Sequence, residues 1–236
     1  MYFSTPGLKD FSKSSILAAR WMFMISLSKD YVRIERNGKI SYGGSQMWSD
    51  NSAIRVCGCG PVAVFDTLLY LTNRQKGTLS LEEYKRQLEE ISRRYFPLIK
   101  PFGINGILLA AGTNRILRRY HLPYRAFWAV SGRKFWPRVE DLLRQDLPVV
   151  FSVGPNFPAI WQKNRLTFYQ KKANGSYVPV SSAKSHYITA TGIDEEWLRI
   201  SSWGNEYYIK RQEYDEYIRR HSTSIVSNIL MFRKIS

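Results

Sequence analysis

The chain of 236 residues has only two cysteines, three histidines and nineteen acidic side chains, and it holds no apolar run long enough to cross a bilayer. Each scarcity removes a class of protein. Cys57 and Cys59 lie one residue apart, so a bond between them would close a small strained ring and staple nothing distant. A disulfide scaffold is therefore excluded. His121, His186 and His221 share no metal-ligand spacing with one another or with the cysteines, so neither a zinc site nor any other cofactor is expected. The most apolar early stretch, 16–27, is interrupted by Arg20 and reads as a helix or extension packed on the main domain. Residues 14–28 are the segment through which the chain would associate with a membrane. The preceding residues lack the compact basic region of a signal peptide, and together with reduced thiols this points to the cytoplasm.

The shortage of acids leaves a formal charge of +16, from 35 Lys and Arg against 19 Asp and Glu. Such an excess attracts anionic partners in general, acidic peptides among them. The basic pairs Arg93–Arg94, Arg118–Arg119, Lys171–Lys172 and Arg219–Arg220 are spread along the chain, without a dense run or an RNA-binding aromatic signature. That dispersal favours a solvated surface over a nucleic-acid site. Apolar residues make up 44% of the chain, enough for a globular protein with a buried core.

The pattern along the chain divides it into a helical front and a strand-rich back. Segments 31–34 and 39–42 flank Asn37-Gly38, a strong hairpin signal. A polar stretch, 43–55, leads to Cys57-Gly58-Cys59-Gly60-Pro61. The residues that follow, 62–72, are apolar on nearly all sides and predict a buried central helix. Ser80 with Glu83 forms a capping box for a helix over 81–95, and a further helix is expected over 105–120. From residue 124 the expectation is strand at 126–130, helix at 136–144 and strand at 148–153. A hairpin at 166–170 and 177–180 follows, around Asn174-Gly175. Strands at 186–192, 197–203 and 206–209, a helix at 211–219 and a strand at 225–232 complete the pattern. The expected architecture is α+β, with residues 1–30 as an N-terminal helical extension and 31–236 as one two-lobed domain.

Three features bear on chemistry. Cys59 opens the central helix, where free backbone N–H groups and the positive end of the helix dipole favour a thiolate. Pro61 is preorganised for the first turn, and Gly60 permits close approach. Among the histidines, only His186 opens an apolar strand with small neighbours, which makes it the candidate base for a thiol nucleophile. Gln46, in the loop Gly43-Gly44-Ser45-Gln46-Met47-Trp48, is the candidate side-chain donor to an oxyanion.

Taken in order, Gln46-Met47-Trp48, Gly58-Cys59-Gly60-Pro61-Val62-Ala63, Ser185-His186-Tyr187-Ile188 and Trp197 to Gly204 resemble the papain-like cysteine peptidases, most closely the C39-like branch related to bacteriocin-processing peptidases. The resemblance spans about 40–210. It implies a papain-like fold and a cofactor-free cysteine peptidase or amidase acting on a peptide or protein. Cys59 would attack an amide carbonyl, His186 would act as base, and Gln46 with the Cys59 N–H would hold the oxyanion. Gly58 would precede the nucleophile at the substrate-facing junction, and Trp203 would shield the histidine from water. Where the family places Asn or Asp to orient the imidazole, this chain has Ser201, with Ser202 and Asn205 as alternatives. A hydroxyl can hold the tautomer, yet supplies no charge. Two alternatives follow: a papain-like module that binds without catalysing, and acyl transfer to an amine by the same pair.

Overall fold

The computed structural model describes residues 24–72, 77–129, 134–154 and 164–235. Its first element is a short strand, β1 (Ile25–Ser26), and this corrects the expectation of a helix running to residue 27. Ile25 and Ser26 pair with Ile193 and Gly192, and the Leu27 N–H continues the ladder onto Thr191 O. Ile25 and Leu27 thus pack with the main sheet, and residue 27 belongs to the core rather than to an appended segment. The remainder of the proposed extension, 1–23, lies outside the described residues.

Asn37 and Gly38 both take positive φ, 51° and 73°, the geometry of a two-residue hairpin turn between β2 (Ile34–Arg36) and β3 (Lys39–Ile40). Beyond it the polar stretch is more ordered than its composition suggests. Gln46–Trp48 forms a 3-10 turn capped by Ser45, and Asn51 caps a six-residue helix, α1 (Ser52–Cys57), which the sequence pattern did not suggest. Gly58 then ends α1 and starts α2 (Cys59–Leu71), buried from Gly60 to Tyr70 as expected of an all-apolar helix.

A two-residue strand, β4 (Leu79–Ser80), adds to β2 and completes a small three-stranded sheet. Ser80 Oγ accepts from the Glu83 N–H to cap α3 (Leu81–Tyr95), and Asn105 caps α4 (Gly106–Arg119) by accepting from the Leu108 N–H. These caps satisfy donors that no helix can satisfy within itself.

The remaining elements are β5 (Tyr124–Ala129), α5 (Phe135–Arg144), β6 (Val149–Ser152), β7 (Leu166–Lys171), β8 (Tyr177–Ala183), β9 (Tyr187–Ile193), β10 (Trp197–Ser202), β11 (Asn205–Lys210), α6 (Arg211–His221) and β12 (Ile229–Lys234). The strands form an antiparallel sheet in the order β5-β12-β6-β9-β10-β11-β7-β8, with β1 added to the far end of β9. Val149, Val150 and Phe151 of β6, and Ile188, Ala190 and Ile193 of β9, are almost wholly buried at the sheet centre, against which α2 packs. The architecture is mixed helix and sheet, an α+β arrangement with six helices among the described residues. No helix among those residues is long and apolar enough to cross a membrane.

Candidate functional site

One pocket gathers residues from four separate stretches. Gly44 and Gln46 come from the loop before α1, and Cys59, Val62, Ala63 and Asp66 from α2. His186, Tyr187 and Thr189 come from the start of β9, and Ser201, Ser202 and Trp203 from the end of β10. The free volume is about 10 Å³, the room of a single water.

Cys59 is the first residue of α2 and is half-buried, whereas Cys57 is buried at the end of α1, with its thiol donating to Ala53 O at 3.0 Å. Burial pushes the Cys59 thiol above its ordinary range. The backbone N–H groups of Tyr187, Gly60 and Cys59 itself pull in the opposite direction. Those amides are what a helix start provides, since its first N–H groups have no partner within the helix. The helix N-terminus therefore aims donors at the sulfur, and the strand carrying the imidazole contributes a third. Gly60 leaves room for this approach: a Cβ there would sit 3.2 Å from Ile104 and Leu109 and 3.3 Å from Tyr187.

The junction before Cys59 is equally tight. A Cβ on Gly58 would lie 2.5 Å from Ile54 O, so only glycine lets α1 turn directly into α2. Gly58 acts through this backbone geometry.

His186 is buried, and its burial depresses the imidazole to about 3, so the ring is neutral over the physiological range. Its Nε2 lies 2.8 Å from Ser202 Oγ. Ser201, by contrast, donates to Tyr42 O at 2.9 Å, so Ser202 is the serine on the ring. A bulge explains the difference. Leu198 and Arg199 pair with Ile193 and Gly192, but after a register shift Ile200 and Ser201 pair with Ala190 and Thr189. Paired residues share a face, so the shift turns Ser201 toward the side of Thr189 and puts Ser202 on the other. Asn205 Nδ2 donates to Trp203 O, and Asp194 Oδ1 accepts from the N–H groups of Glu196 and Trp197, which places both in turns of their own.

Trp203 stacks on the imidazole with ring centroids 4.5 Å apart and planes at 20°. It sits at φ 49° in the two-residue turn with Gly204 (φ 77°) that joins β10 to β11. Ser185, immediately before His186, is also left-handed at φ 49°. Non-glycine residues seldom adopt this region, and both examples flank the same ring.

Gln46 is buried and lines the pocket with Cys59. Its Nε2 donates to Arg55 O at 3.1 Å and reaches Val56 O at 3.4 Å, so its amide is anchored to the last turn of α1. One residue that the sequence reading passed over also belongs here. Asp66 is 2% exposed and accepts from the Gly44 N–H at 2.8 Å and from the Tyr84 hydroxyl at 2.7 Å. A lone acid inside an otherwise apolar helix was the signal that could have found it. Comparison with known proteins yields no match, neither among family models nor among curated proteins or solved structures.

Proposed function

We propose that the protein is a cysteine peptidase or amidase of papain-like fold, C39-like in its motifs, with Cys59 as nucleophile, His186 as base and Ser202 as the residue that orients the imidazole. The observation that carries this proposal is a shared pocket. Cys59, at the tip of a buried helix, and His186, a neutral imidazole whose Nε2 meets the Ser202 hydroxyl, both line it.

The chemistry requires no cofactor. With Nε2 held by Ser202, Nδ1 takes the thiol proton as sulfur attacks the carbonyl carbon of a peptide or related amide. A C–S bond forms and the carbonyl electrons move to oxygen. That oxyanion is met by the Cys59 N–H and by the Gln46 amide, which frees one hydrogen when the longer contact to Val56 O is given up. Collapse breaks the C–N bond, and the imidazolium protonates the departing amine. Water then attacks the thioester with His186 as base, regenerating the thiol and releasing the acid. An amine in place of water would complete an acyl transfer instead, and product analysis distinguishes the two. Trp203 shields the ring from solvent throughout, which strengthens each charge interaction at the site.

The charge of +16 favours acidic peptide or protein substrates, and two free cysteines suit a reducing compartment such as the cytoplasm. A papain-like module that binds without catalysing is the alternative. It is favoured by a thiol raised by burial and an imidazole depressed to about 3, a pair that rests uncharged. Labelling with iodoacetamide at neutral pH separates the two. A catalytic pair gives fast alkylation selective for Cys59 over Cys57, slowed at least tenfold by His186→Ala. Labelling at the rate of a free thiol and indifferent to His186 would sink the catalytic assignment.

A further inference from the structure

Asp66 is unexplained by the reaction above, and its surroundings are specific. It lies seven residues after Cys59 on α2, close to two full helical turns, so both side chains leave the same face. Its two carboxylate oxygens have separate tasks. Oδ2 accepts from the Gly44 N–H, two residues before Gln46, and Oδ1 accepts from Tyr84, which reaches in from α3. The loop is held from its other side by the β10–β11 turn, where the Gly204 N–H donates to Gly44 O and the Tyr42 N–H donates to Gly204 O. There is no slack. A Cβ on Gly43 would fall 2.2 Å from Ser201 Oγ and 2.8 Å from Asp66 Oδ2, and one on Gly44 would fall 1.8 Å from the Tyr84 hydroxyl oxygen.

We propose that Asp66 is a positioning residue that clamps the Gly43–Trp48 loop between α2 and the β10–β11 turn, and thereby fixes Gln46 opposite the Cys59 sulfur. A leucine at this position would suit the apolar helix better, since burying a carboxylate is costly unless its acceptor capacity is used. Here both oxygens are used, and both partners lead to the loop: Gly44 belongs to it, and Tyr84 packs against Gly44. The titratable groups around Asp66 are Tyr84 on α3, Tyr31 ahead of β2, and Cys59 and His186 in the same pocket. Burial holds both tyrosines protonated. It also raises Asp66 to about 7, so the clamp in its carboxylate form fills in around neutrality.

The proposal rests on the cysteine-hydrolase assignment, and the test keeps the two apart by using two electrophiles on one sulfur. Iodoacetamide reacts at a saturated carbon and creates no oxyanion, whereas p-nitrophenyl acetate passes through one. With Asp66→Asn, one of the two donors loses its acceptor. Acylation by the ester should fall tenfold or more, in line with loss of an oxyanion donor, while alkylation changes less than about twofold. The ratio of the two rates should rise between pH 6 and 8 in the native protein and stay level in Asp66→Asn. Tyr84→Phe keeps the carboxylate and removes one anchor, so it should lower the same ratio by a smaller factor even if Asp66→Asn fails to fold. Equal loss in both reactions, or no change in the ratio for a folded variant, overturns the role of Asp66. Slow alkylation of the native protein, indifferent to His186, overturns the hydrolase assignment and the positioning role with it.

Discussion

The two adjacent serines at the end of β10 touch different neighbours, so deleting each hydroxyl should have a different outcome. Ser202→Ala leaves a buried imidazole nitrogen without its partner, at a cost of about 1–3 kcal/mol, and alkylation of Cys59 should slow with it. Ser201→Ala loses only the bond to Tyr42 O and should leave the labelling rate within roughly twofold, since the imidazole keeps its own partner. Equal slowing by both would contradict the assignment. Titration gives a second test. The imidazole rests at about 3 when folded and titrates near 6.5 when unfolded, so between those values the unfolded chain binds a proton that the fold refuses. His186 therefore lowers stability as pH falls through that window. Asp66 has the opposite sign. Its carboxyl keeps its proton up to about 7 in the fold and loses it near 3.8 when unfolded, so the stability it contributes is present below about 4 and lost as pH rises to 7. Between about 4 and 6.5 the slopes oppose one another, each at most about 1.4 kcal/mol per pH unit. Urea unfolding of the native protein should vary little with pH there. Asp66→Asn should unmask the histidine and lose stability steadily on acidification, and a profile unchanged by that substitution would show that Asp66 is not buried as an acid. The sequence singled out Cys59, His186 and Gln46 because each sits in a distinctive local pattern, and the structure lines one pocket with all three. The choice between Ser201 and Ser202 was not legible, because it turns on a register shift at Arg199/Ile200 that neither residue announces.

At the level of elements, helix termini were read best, since caps and turns are decided by near neighbours. Ser80 and Glu83, Asn105, and Asn37-Gly38 all act within four residues of themselves, and the structure places α3, α4 and the first hairpin where they point. The failures share a cause. The strand β1 depends on β9, and β4 depends on β2, so each two-residue strand exists only by virtue of a distant partner. Helix α1 is short and mostly exposed outside Ile54 and Cys57, and its start is fixed by Asn51 in a loop that otherwise reads as irregular. The α1–α2 junction gives a prediction of its own. Gly58→Ala would press a methyl against Ile54 O, and overpacking of this kind costs about 1–3 kcal/mol. Gly204→Ala should cost a similar amount, because its methyl would lie 2.5 Å from the Trp48 ring at a φ of 77°. The two should differ in chemistry: Gly58→Ala displaces the amides aimed at the sulfur and slows alkylation, while Gly204→Ala acts first on the loop that carries Gln46. Denaturant midpoints together with the alkylation rate would show this, and two variants with the same kinetic signature would count against it.

Over the whole molecule, the α+β arrangement was readable from the change of pattern near residue 124, but the strand order was not. Interleaving β12 between β5 and β6 requires the last strand to return beside a much earlier one, and no periodicity encodes that. Charge is the other property of the whole. The +16 is what remains after all nineteen acids are counted, so ion pairs such as Lys85 with Asp50, Lys210 with Glu196 and Arg211 with Glu140 leave it untouched. Self-repulsion should therefore oppose folding at low ionic strength. The midpoint of thermal unfolding is expected to rise by a few degrees as NaCl increases from about 10 to 150 mM, over which the screening length shrinks from roughly 30 to 8 Å. A midpoint that falls with salt would instead mean that ion pairs outweigh the repulsion. The distribution of the site along the chain has one more consequence. Gln46 and Cys59 are encoded in the first quarter, while His186, Ser202 and Trp203 belong to the last. A ribosome releases the sulfur well before the ring that would activate it. On the proposed function, the growing polypeptide would carry an ordinary thiol, with no base to activate it until the closing strands have been translated and docked.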